Sequence, residues 1–528
     1  MQSQFNLIIK IVVKSIRDQA ISKMNNKNLY TYFEREFLKY HNRSFLVSEY
    51  RTLKYNEIQA ETGRYVSMFA AMGIVKGDRI VVQVEKSIEA VLLYLACLRY
   101  GAIYIPLNPA YTKEEINYFL RDSEPTLFVC VPELEETMGT LVSEVGIPNL
   151  VSLGHKSDGS IFNRLTDVVV DSKHIEICSD DDLAAILYTS GTTGRSKGAM
   201  LTHQNLLSNA LVLLNYWDWR ENDVLLHALP IFHVHGLFVA LHCALLNASK
   251  VIFLDRFDTR KIIDELPNST VMMGVPTFYV RLLKDAAFNK EKCKNMRLFI
   301  SGSAPLLSET FHSFKNLTDK TILERYGMTE TGMLTSNPYN GDRVAGTVGY
   351  LLPTVKGRIS SQNGEQVGDT EIGILEVKGP NIFAGYWRMP EKTASEFRSD
   401  GYFVTGDMAS IDETGRISIV GREKDLVISG GYNVYPKEIE SVLDNMNGVT
   451  ESCVIGLSHP DFGEAVTALI VEDKDIKLSK EDIFHSLKNS IAKYKHPKAI
   501  IYITELPRNT MGKVQKNILR LKYKNYFQ

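Results

Sequence analysis

Three glycines, six serine or threonine hydroxyls and two cations crowd into the sixteen residues YTSGTTGRSKGAMLTH, Tyr188 to His203. Hydroxyls and backbone amides at this density, beside an arginine and a lysine, suit a clamp for a triphosphate. Gly191, Gly194 and Gly198 let the backbone approach an anion; Ser190, Thr192, Thr193 and Ser196 donate hydrogen bonds, and Lys197 supplies charge. A polar surface loop is the competing reading, but loops rarely repeat glycine, hydroxyl and lysine so closely. The segment is not a Walker loop, because Gly194 is followed by Arg195 and Ser196. Nucleotide binding here therefore belongs to a different fold. DLAAILY before the loop reads as a buried strand. NLLSNALVLL after it, with Leu206, Leu207, Ala210, Leu211 and Leu214 on one face, reads as a helix. The loop thus leaves a strand end, where open α/β sheets bind ligands.

The elements around the loop follow one grammar. Between Tyr65 and Cys130 a helix to Met72, the strand RIVVQV, a helix through AVLLYLACL, the strand AIYIPL, a helix at KEEINYFL and the strand TLFVC alternate. Such alternation predicts a parallel sheet covered by helices. It resumes at VIFLD, TVMMG, RLFIS and TILERY. From Gly346 to Val420 the elements shorten and glycine becomes frequent, predicting a small β-rich subdomain. After Gly421, DLVISG, a helix opened by Pro436, ESCVIGLS, AVTALIVED, a helix at KEDIFHSL and AIIYIT describe a compact α+β unit. The expected organisation is an extension over 1–23, a large α/β domain over 24–420, a hinge at 421–424 and a mobile C-terminal domain over 425–528.

Composition narrows the function classes. A chain of 528 residues, 44% hydrophobic, divides into several subdomains rather than one core. A net charge of −2, with acids and bases interspersed, gives no nucleic-acid surface. Six scattered cysteines without a CxxC pair argue for free thiols in a reducing compartment. No apolar run reaches bilayer length. FNLIIKIVV near the start is interrupted by Lys10, lacks a small-residue cleavage site and is not arginine-rich, so Met24 is the expected usual start. The expected location is the cytoplasm, or the mitochondrial matrix if residues 1–23 are a transit segment.

Five further motifs follow the clamp: SGSAPL from Ser301, ERYGMTET from Glu324, the TGD ending at Asp407, GREKDLVISGG from Gly421 and PRNTMGKVQK from Pro507. With them the chain, from about Leu29 to its C-terminus, resembles the adenylate-forming enzymes, which include acyl-CoA synthetases, luciferases and the adenylation domains of peptide synthetases. HALPIFHVHGLFVA, MMGVPTFYVRLL, TSNPY and ISGGYNVYPKEIE are similar, more narrowly, to malonyl-CoA synthetases. The resemblance implies two half-reactions: a carboxylate attacks the α-phosphorus of ATP to give acyl-AMP and pyrophosphate, and CoA then displaces AMP. ATP, Mg²⁺ and CoA are the implied cofactors and co-substrates.

The same resemblance implies the roles of particular residues. Lys513 matches the catalytic lysine that bridges carboxylate and α-phosphate, and Glu330 the acid that holds Mg²⁺. Thr189 joins Ser190 to Lys197, Arg195 included, in the phosphate loop. Gly302, Ser303, Ala304, Tyr326, Gly327, Met328 and Thr329 match the walls around AMP. Asp407 matches the acceptor for both ribose hydroxyls and Arg422 its partner. Lys424 falls at the hinge, and Gly430 and Gly431 at the pantetheine tunnel.

Which acid is activated has a reading of its own. VPTFYVRLL predicts a helix with Pro276 in its first turn, and Arg281 is expected near the positive end of the dipole, where a bound anion would offset the poor placement of a cation. A guanidinium pairs with a carboxylate at two points, so a second carboxylate on the substrate, as in malonate, is the natural guest. A solvent-facing arginine is the alternative. His235, in IFHVHGLF, is expected to join Arg281 there, while by resemblance His233 gates the acyl pocket; packing in a core turn competes for both. Without an acid or cysteine in that motif, a metal site is not favoured. The expected partners are a small dicarboxylic acid and CoA, with oligomeric state left open. Methylmalonate, another small- or medium-chain acid, a carrier protein in place of CoA, luciferase-like chemistry and a catalytically silent nucleotide-binding homologue remain alternatives. The presence of Lys197, Glu330, Asp407, Arg422 and Lys513 argues against the last.

Overall fold

The computed structural model describes residues 26–166, 168–171, 173–189, 196–361, 363–368, 370–429, 432–474, 476–510 and 512–527. The expected extension over 1–23 lies outside the described residues. Those described fall into two compact units, one within 1–45 and 50–208, the other within 46–49 and 209–528.

In the first unit the apolar runs are strands. Side by side they lie in the order Lys197–Thr202, Leu183–Thr189, Ile103–Pro106, Arg79–Gln83, Leu127–Cys130, Asn149–Ser152. Neighbours are parallel except the first pair. Burial on both faces explains why such strands read as continuous apolar runs rather than as alternating ones. The helix Ile88–Tyr100 is buried nearly throughout, so AVLLYLACL carries no polar stripe. Ser87 caps its start, its hydroxyl accepting from Ala90 N at 3.1 Å, and Gly101, with φ 74°, supplies the left-handed residue that ends it.

One expectation is corrected here. The phosphate loop does not pass from a strand to a helix: Lys197–Thr202 is itself a strand, antiparallel to Leu183–Thr189 with Thr189 opposite Lys197, and the helix His203–Tyr216 follows it. Ala199, Leu201 and Thr202 are buried, so the strand is stabilised by packing. KGAMLT, poor in β-branched and aromatic residues, gives little local signal for it.

In the second unit a larger sheet runs Tyr350–Leu351, Gly332–Ser336, Ile322–Met328, Leu298–Ser301, Val271–Gly274, Val224–His227, Lys250–Phe253. From Ile322–Met328 to Lys250–Phe253 it is parallel. The β-rich stretch is an antiparallel meander of Lys356–Ser360, Gly373–Lys378, Phe403–Ile411 and Ile417–Arg422. The C-terminal stretch pairs Val449–His459 with Gly463–Glu472, adds Ala499–Tyr502 in parallel, and packs the helices Pro436–Asp444 and Lys480–Ser490 over a core of Val454, Val466, Ile470, Ile439 and Ile483. The fold is α/β, with helix-covered sheets, a small β-rich part and a small α+β C-terminal part. The six cysteines are buried thiols. Among the described residues no helix is long and apolar enough to cross a membrane.

Aromatic packing fixes the elements that bear the site. Phe314, on the helix Ser308–Thr318, meets Tyr279 at 5.5 Å, Phe288 at 5.6 Å and Phe299 at 4.9 Å between ring centroids. It thereby ties that helix to the helix Pro276–Leu283 and the strand Leu298–Ser301. Phe314→Ala is expected to cost about 3–5 kcal/mol, read as a lower urea midpoint by circular dichroism; a loss below about 1 kcal/mol would show that the ring does not support these elements.

Candidate active site

Two neighbouring parallel strands, Leu298–Ser301 and Ile322–Met328, run with Ser301 opposite Glu324. Gly302, Ser303 and Ala304 follow the first strand, and Tyr326, Gly327 and Met328 end the second. Ser303 takes the left-handed conformation, φ 72°, and a Cβ on Gly302 would stand 2.4 Å from Arg325 Cζ. The chain then reverses through Thr329–Thr331 into Gly332–Ser336. Gly327 is required at this reversal, because a Cβ would lie 2.0 Å from the Gly332 carbonyl oxygen. Parallel strand ends followed by short turns are where α/β sheets present binding groups.

Asp407 is the centre of the polar contacts. It is 4% exposed and accepts from the Tyr326 hydroxyl and from Arg422 Nε at 2.7 Å. Arg422 stands opposite it on the adjacent antiparallel strand and also donates through Nη1 to the Thr405 carbonyl at 3.3 Å. Burial first, and Asp407 second, push the Tyr326 phenol up. Burial works to lower the Arg422 pKa, but Asp407 and Tyr326 outweigh it and the net direction is upward.

Lys513 belongs to the same neighbourhood. Its backbone N–H donates to Asn509 Oδ1 at 2.9 Å, closing a turn, and Gly512, φ 74°, lies so close to the helix Pro276–Leu283 that a Cβ would be 3.2 Å from Thr277. The residue as a whole is exposed, yet desolvation, then the charges of Arg422 and Lys424, lower its pKa, while Asp407 and Asp425 act to raise it. Lys424, the expected hinge, lies in the turn Glu423–Asp425.

Glu330 sits in the reversal after Met328 and Thr329, 5% exposed. Tyr386 donates to its Oε1 at 3.1 Å, and Phe383 N donates to its carbonyl at 2.8 Å. Its charge reaches Arg422, so Glu330, Asp407, Arg422 and Lys513 share one electrostatic environment. Among the described residues no three of His, Cys, Asp and Glu form a metal cluster. A single buried carboxylate beside a phosphate fits Mg²⁺, which takes one or two carboxylates and leaves its other positions to phosphate and water.

Thr189, Ser196 and Lys197 lie in the first unit, at the base of the hairpin. Tyr118 donates to the Ser196 carbonyl at 2.6 Å and Tyr188 to Asp122 at 2.6 Å. Ser190, Gly191, Thr192, Thr193, Gly194 and Arg195, and Gly430 and Gly431, lie outside the described residues.

The helix Pro276–Leu283 forms as expected, with Pro276 first, but Arg281 is in its last turn. A cation there favours the dipole, so, contrary to expectation, Arg281 needs no anion to offset its placement. The helix has only eight residues, and a position near its middle in the motif is already at its far end. Arg281 is exposed, its guanidinium 5.7 Å from the Phe257 ring centroid, and among the described residues it does not bond to His235. His235 opens a π-helix, His235–Leu241, and is 1% exposed. Its Nδ1 is 3.3 Å from Ser303 Oγ, and its backbone N–H donates to His233 Nδ1 at 3.3 Å. Burial first, then the charge of Arg325, pushes His233 down to about 4 and His235 well below the ordinary range. Both rings are neutral near pH 7.

Two contributors have no readable signal in the sequence. Tyr386 orients Glu330 from a distant segment without a local signature. Arg325 stands in full view in ERYGMTET, but nothing in the motif says that it is buried.

A family model described as AMP-binding enzyme matches residues 33–387, and one described as AMP-binding enzyme C-terminal domain matches 438–513. A malonate–CoA ligase of Arabidopsis thaliana is 36% identical over 499 residues, 88% of this chain and 81% of the relative. A mitochondrial malonate–CoA ligase of Mus musculus is 34% identical over 484 residues, 85% of this chain and 82% of the relative. Among solved structures, ATP-bound MatB from Rhodopseudomonas palustris is 50% identical with a TM-score of 0.93, covering 95% of this chain and 100% of that one.

Behind the strand ends, Glu324 Oε1 accepts from Leu306 N at 3.0 Å, while Oε2 has no partner. Burial raises its pKa from 4.5 to about 7, against the opposing Leu306 bond and Lys437. The folded state therefore holds this proton more tightly than the unfolded one. Its contribution to stability is full below pH 4.5 and disappears as the pH rises through about 7. Glu324→Gln keeps an acceptor for Leu306 and removes the titration. Between pH 5 and pH 8 the variant should gain roughly 1–3 kcal/mol relative to the parent in urea unfolding; parallel stability curves would contradict this.

Proposed function

Because this chain belongs to the AMP-binding enzyme family, we propose that it is an ATP-dependent acid–thiol ligase whose acid is malonate. Malonate attacks the α-phosphorus of ATP and pyrophosphate leaves; CoA then displaces AMP from malonyl-adenylate to give malonyl-CoA. A carboxylate alone is a poor acyl donor because its leaving group would be an oxide, and AMP as leaving group removes that obstacle. The protein's part in such a step is positioning and charge neutralisation.

The observation that carries this reading is the buried Asp407 carboxylate held by Tyr326 and Arg422, with Lys513 near enough for the charges of Arg422, Asp407 and Lys424 to act on it. A phosphate entering beside Lys513 meets charge that is already oriented, which is where electrostatic stabilisation of a developing oxyanion is greatest. In this assignment Lys513 bridges the attacking carboxylate and the α-phosphate. Asp407 turns its acceptors to the ribose, with Arg422 beside it. Gly302, Ser303, Ala304 and the Tyr326–Thr329 segment wall the nucleotide. Glu330 would hold Mg²⁺, which supplies charge neutralisation on the phosphates. Thr189, Ser196 and Lys197, with the six residues between Thr189 and Ser196, take the β- and γ-phosphates.

CoA must reach the acyl carbon that Lys513 first covers, so the C-terminal part turns about Lys424 between the two half-reactions, bringing Gly430 and Gly431 to the pantetheine path. The 421–424 boundary and the flanking domains 24–420 and 425–528 are proposed on that ground. We assign the reaction to the cytoplasm, with the mitochondrial matrix as the alternative if residues 1–23 act as a transit segment.

Pyrophosphate release with malonate, methylmalonate, acetate, propionate and octanoate, each with and without CoA, tests the proposal. Malonate should give the highest kcat/KM, with malonyl-CoA and AMP formed in equal amounts. Lys513→Ala should slow adenylation by at least about 10²-fold, the scale of removing a preorganised charge from a transition state. No acid-dependent pyrophosphate release, or a preference for octanoate, would overturn it.

A further inference from the structure

Beside Lys513, the segment PRNTMGKVQK brings an arginine and an asparagine whose side chains turn back on the chain. Arg508 Nη1 donates to the Gly512 carbonyl at 2.6 Å, and Asn509 Oδ1 accepts from Lys513 N at 2.9 Å. Those two backbone groups belong to one peptide unit, the plane that leads into Lys513. The Lys513 carbonyl, on the far side of its Cα, accepts from Asn509 N at 3.0 Å. With the planes on both sides held, φ and ψ of Lys513 are fixed, and so is the direction in which its side chain leaves the backbone. Gly512, at φ 74°, takes the left-handed conformation that this closure requires.

Arg508 is itself tied down. Its Nη2 donates to Glu451 Oε2, on the strand Val449–His459, where Glu451 stands opposite Val471. Leu506 before the turn and Leu519 after it pack with Cys453, Ile455 and Leu469 of the same sheet. Apolar contacts therefore hold the ends of the segment, while the fork of Arg508 links its tip to the sheet. Both side chains of the ion pair are partly exposed, so the pair adds little to overall stability. The demand on the turn is local: desolvation first, then Arg422 and Lys424, act against the charge on Lys513. An ammonium placed against them needs a rigid base.

We infer that Arg508, braced by Glu451, is a positioning residue for adenylation: it fixes the peptide plane that aims Lys513 at the α-phosphate. The inference rests on the ligase reading above. Arg508 acts through Lys513 and not on the substrate. A reacting group displaced by about 1 Å costs about 10²-fold in rate. Arg508, Glu451 and Lys513 all lie in the C-terminal part, so the brace travels with Lys513 when that part turns. Thioester formation, which in the same reading proceeds with Lys513 withdrawn, does not depend on it.

The test measures the half-reactions apart: malonyl-adenylate formation in a single turnover without CoA, and malonyl-CoA formation from supplied malonyl-adenylate. Arg508→Met keeps most of the bulk and removes the fork. At saturating ATP and malonate, adenylation should slow by about 10–10²-fold. The half-saturating concentrations of both substrates, and the rate of the second half-reaction, should stay within about threefold of the parent. Arg508→Lys, which keeps a charge but not the fork, should fall between the two, and it decides the matter if Arg508→Met does not fold. In a Lys513→Ala background, Arg508→Met should change adenylation by less than about threefold, because the group it aims is gone, whereas a merely structural role would subtract the same factor in both backgrounds. Equal losses in the two half-reactions, an additive loss in the Lys513→Ala background, or adenylation within about threefold of the parent would overturn the inference. So would a Lys513→Ala variant that adenylates like the parent. If the parent adenylates another acid, the malonate reading fails while the same measurements with that acid still judge Arg508. A parent that forms no adenylate overturns the ligase reading and this one with it.

Discussion

The Asp407 carboxylate joins groups that the chain supplies far apart in sequence. Tyr326 comes from the end of a parallel strand and Arg422 from the last strand of the meander, and both reach Asp407. Lys513, near the end of the chain, feels the opposed charges of Arg422 and Asp407. Arg422 acts against the charge on Lys513, and Asp407 acts in its favour. Asp407 is therefore the constraint that lets a cationic surface for phosphate exist while the fold stays intact, and it does so from within a buried hydrogen-bond network, where partial satisfaction is costly.

The surroundings of Arg325 follow the opposite rule. There Arg325 Nε and Nη2 and His235 Nε2 are buried without a hydrogen-bond partner among the described residues. Asp407 answers its cations inside the protein, whereas Arg325 Nε and Nη2 have no hydrogen-bond partner among the described residues. His233 and His235 contribute by remaining neutral, so they add hydrogen-bonding capacity without increasing the positive charge.

Much of this is legible without the fold, because strand and helix periods survive in segments such as RIVVQV, TVMMG and KEEINYFL, where packing and propensity agree. The glycines are readable too: Gly302 and Gly327 sit where a Cβ has no space, and their motifs carry that information. The hairpin strand Lys197–Thr202 is hidden because tertiary burial, not propensity, makes KGAMLT a strand. Arg281 reads as if at the wrong end of its helix because a short helix brings its last turn close to its first in sequence. Arg325 and Tyr386 escape for a different reason: burial without a counter-ion, and a hydrogen bond spanning 56 residues, are properties of three-dimensional surroundings that no local pattern encodes.

The dependence of Lys513 on Asp407 gives the most direct test. In a single turnover without CoA, the pH profile of malonyl-adenylate formation should show an alkaline limb below the ordinary lysine value of about 10.4, since desolvation and Arg422 lower the Lys513 pKa and Asp407 partly restores it. Asp407→Asn removes the restoring charge, so the limb should move to still lower pH. A limb that stays in place or moves upward in that variant would contradict the account.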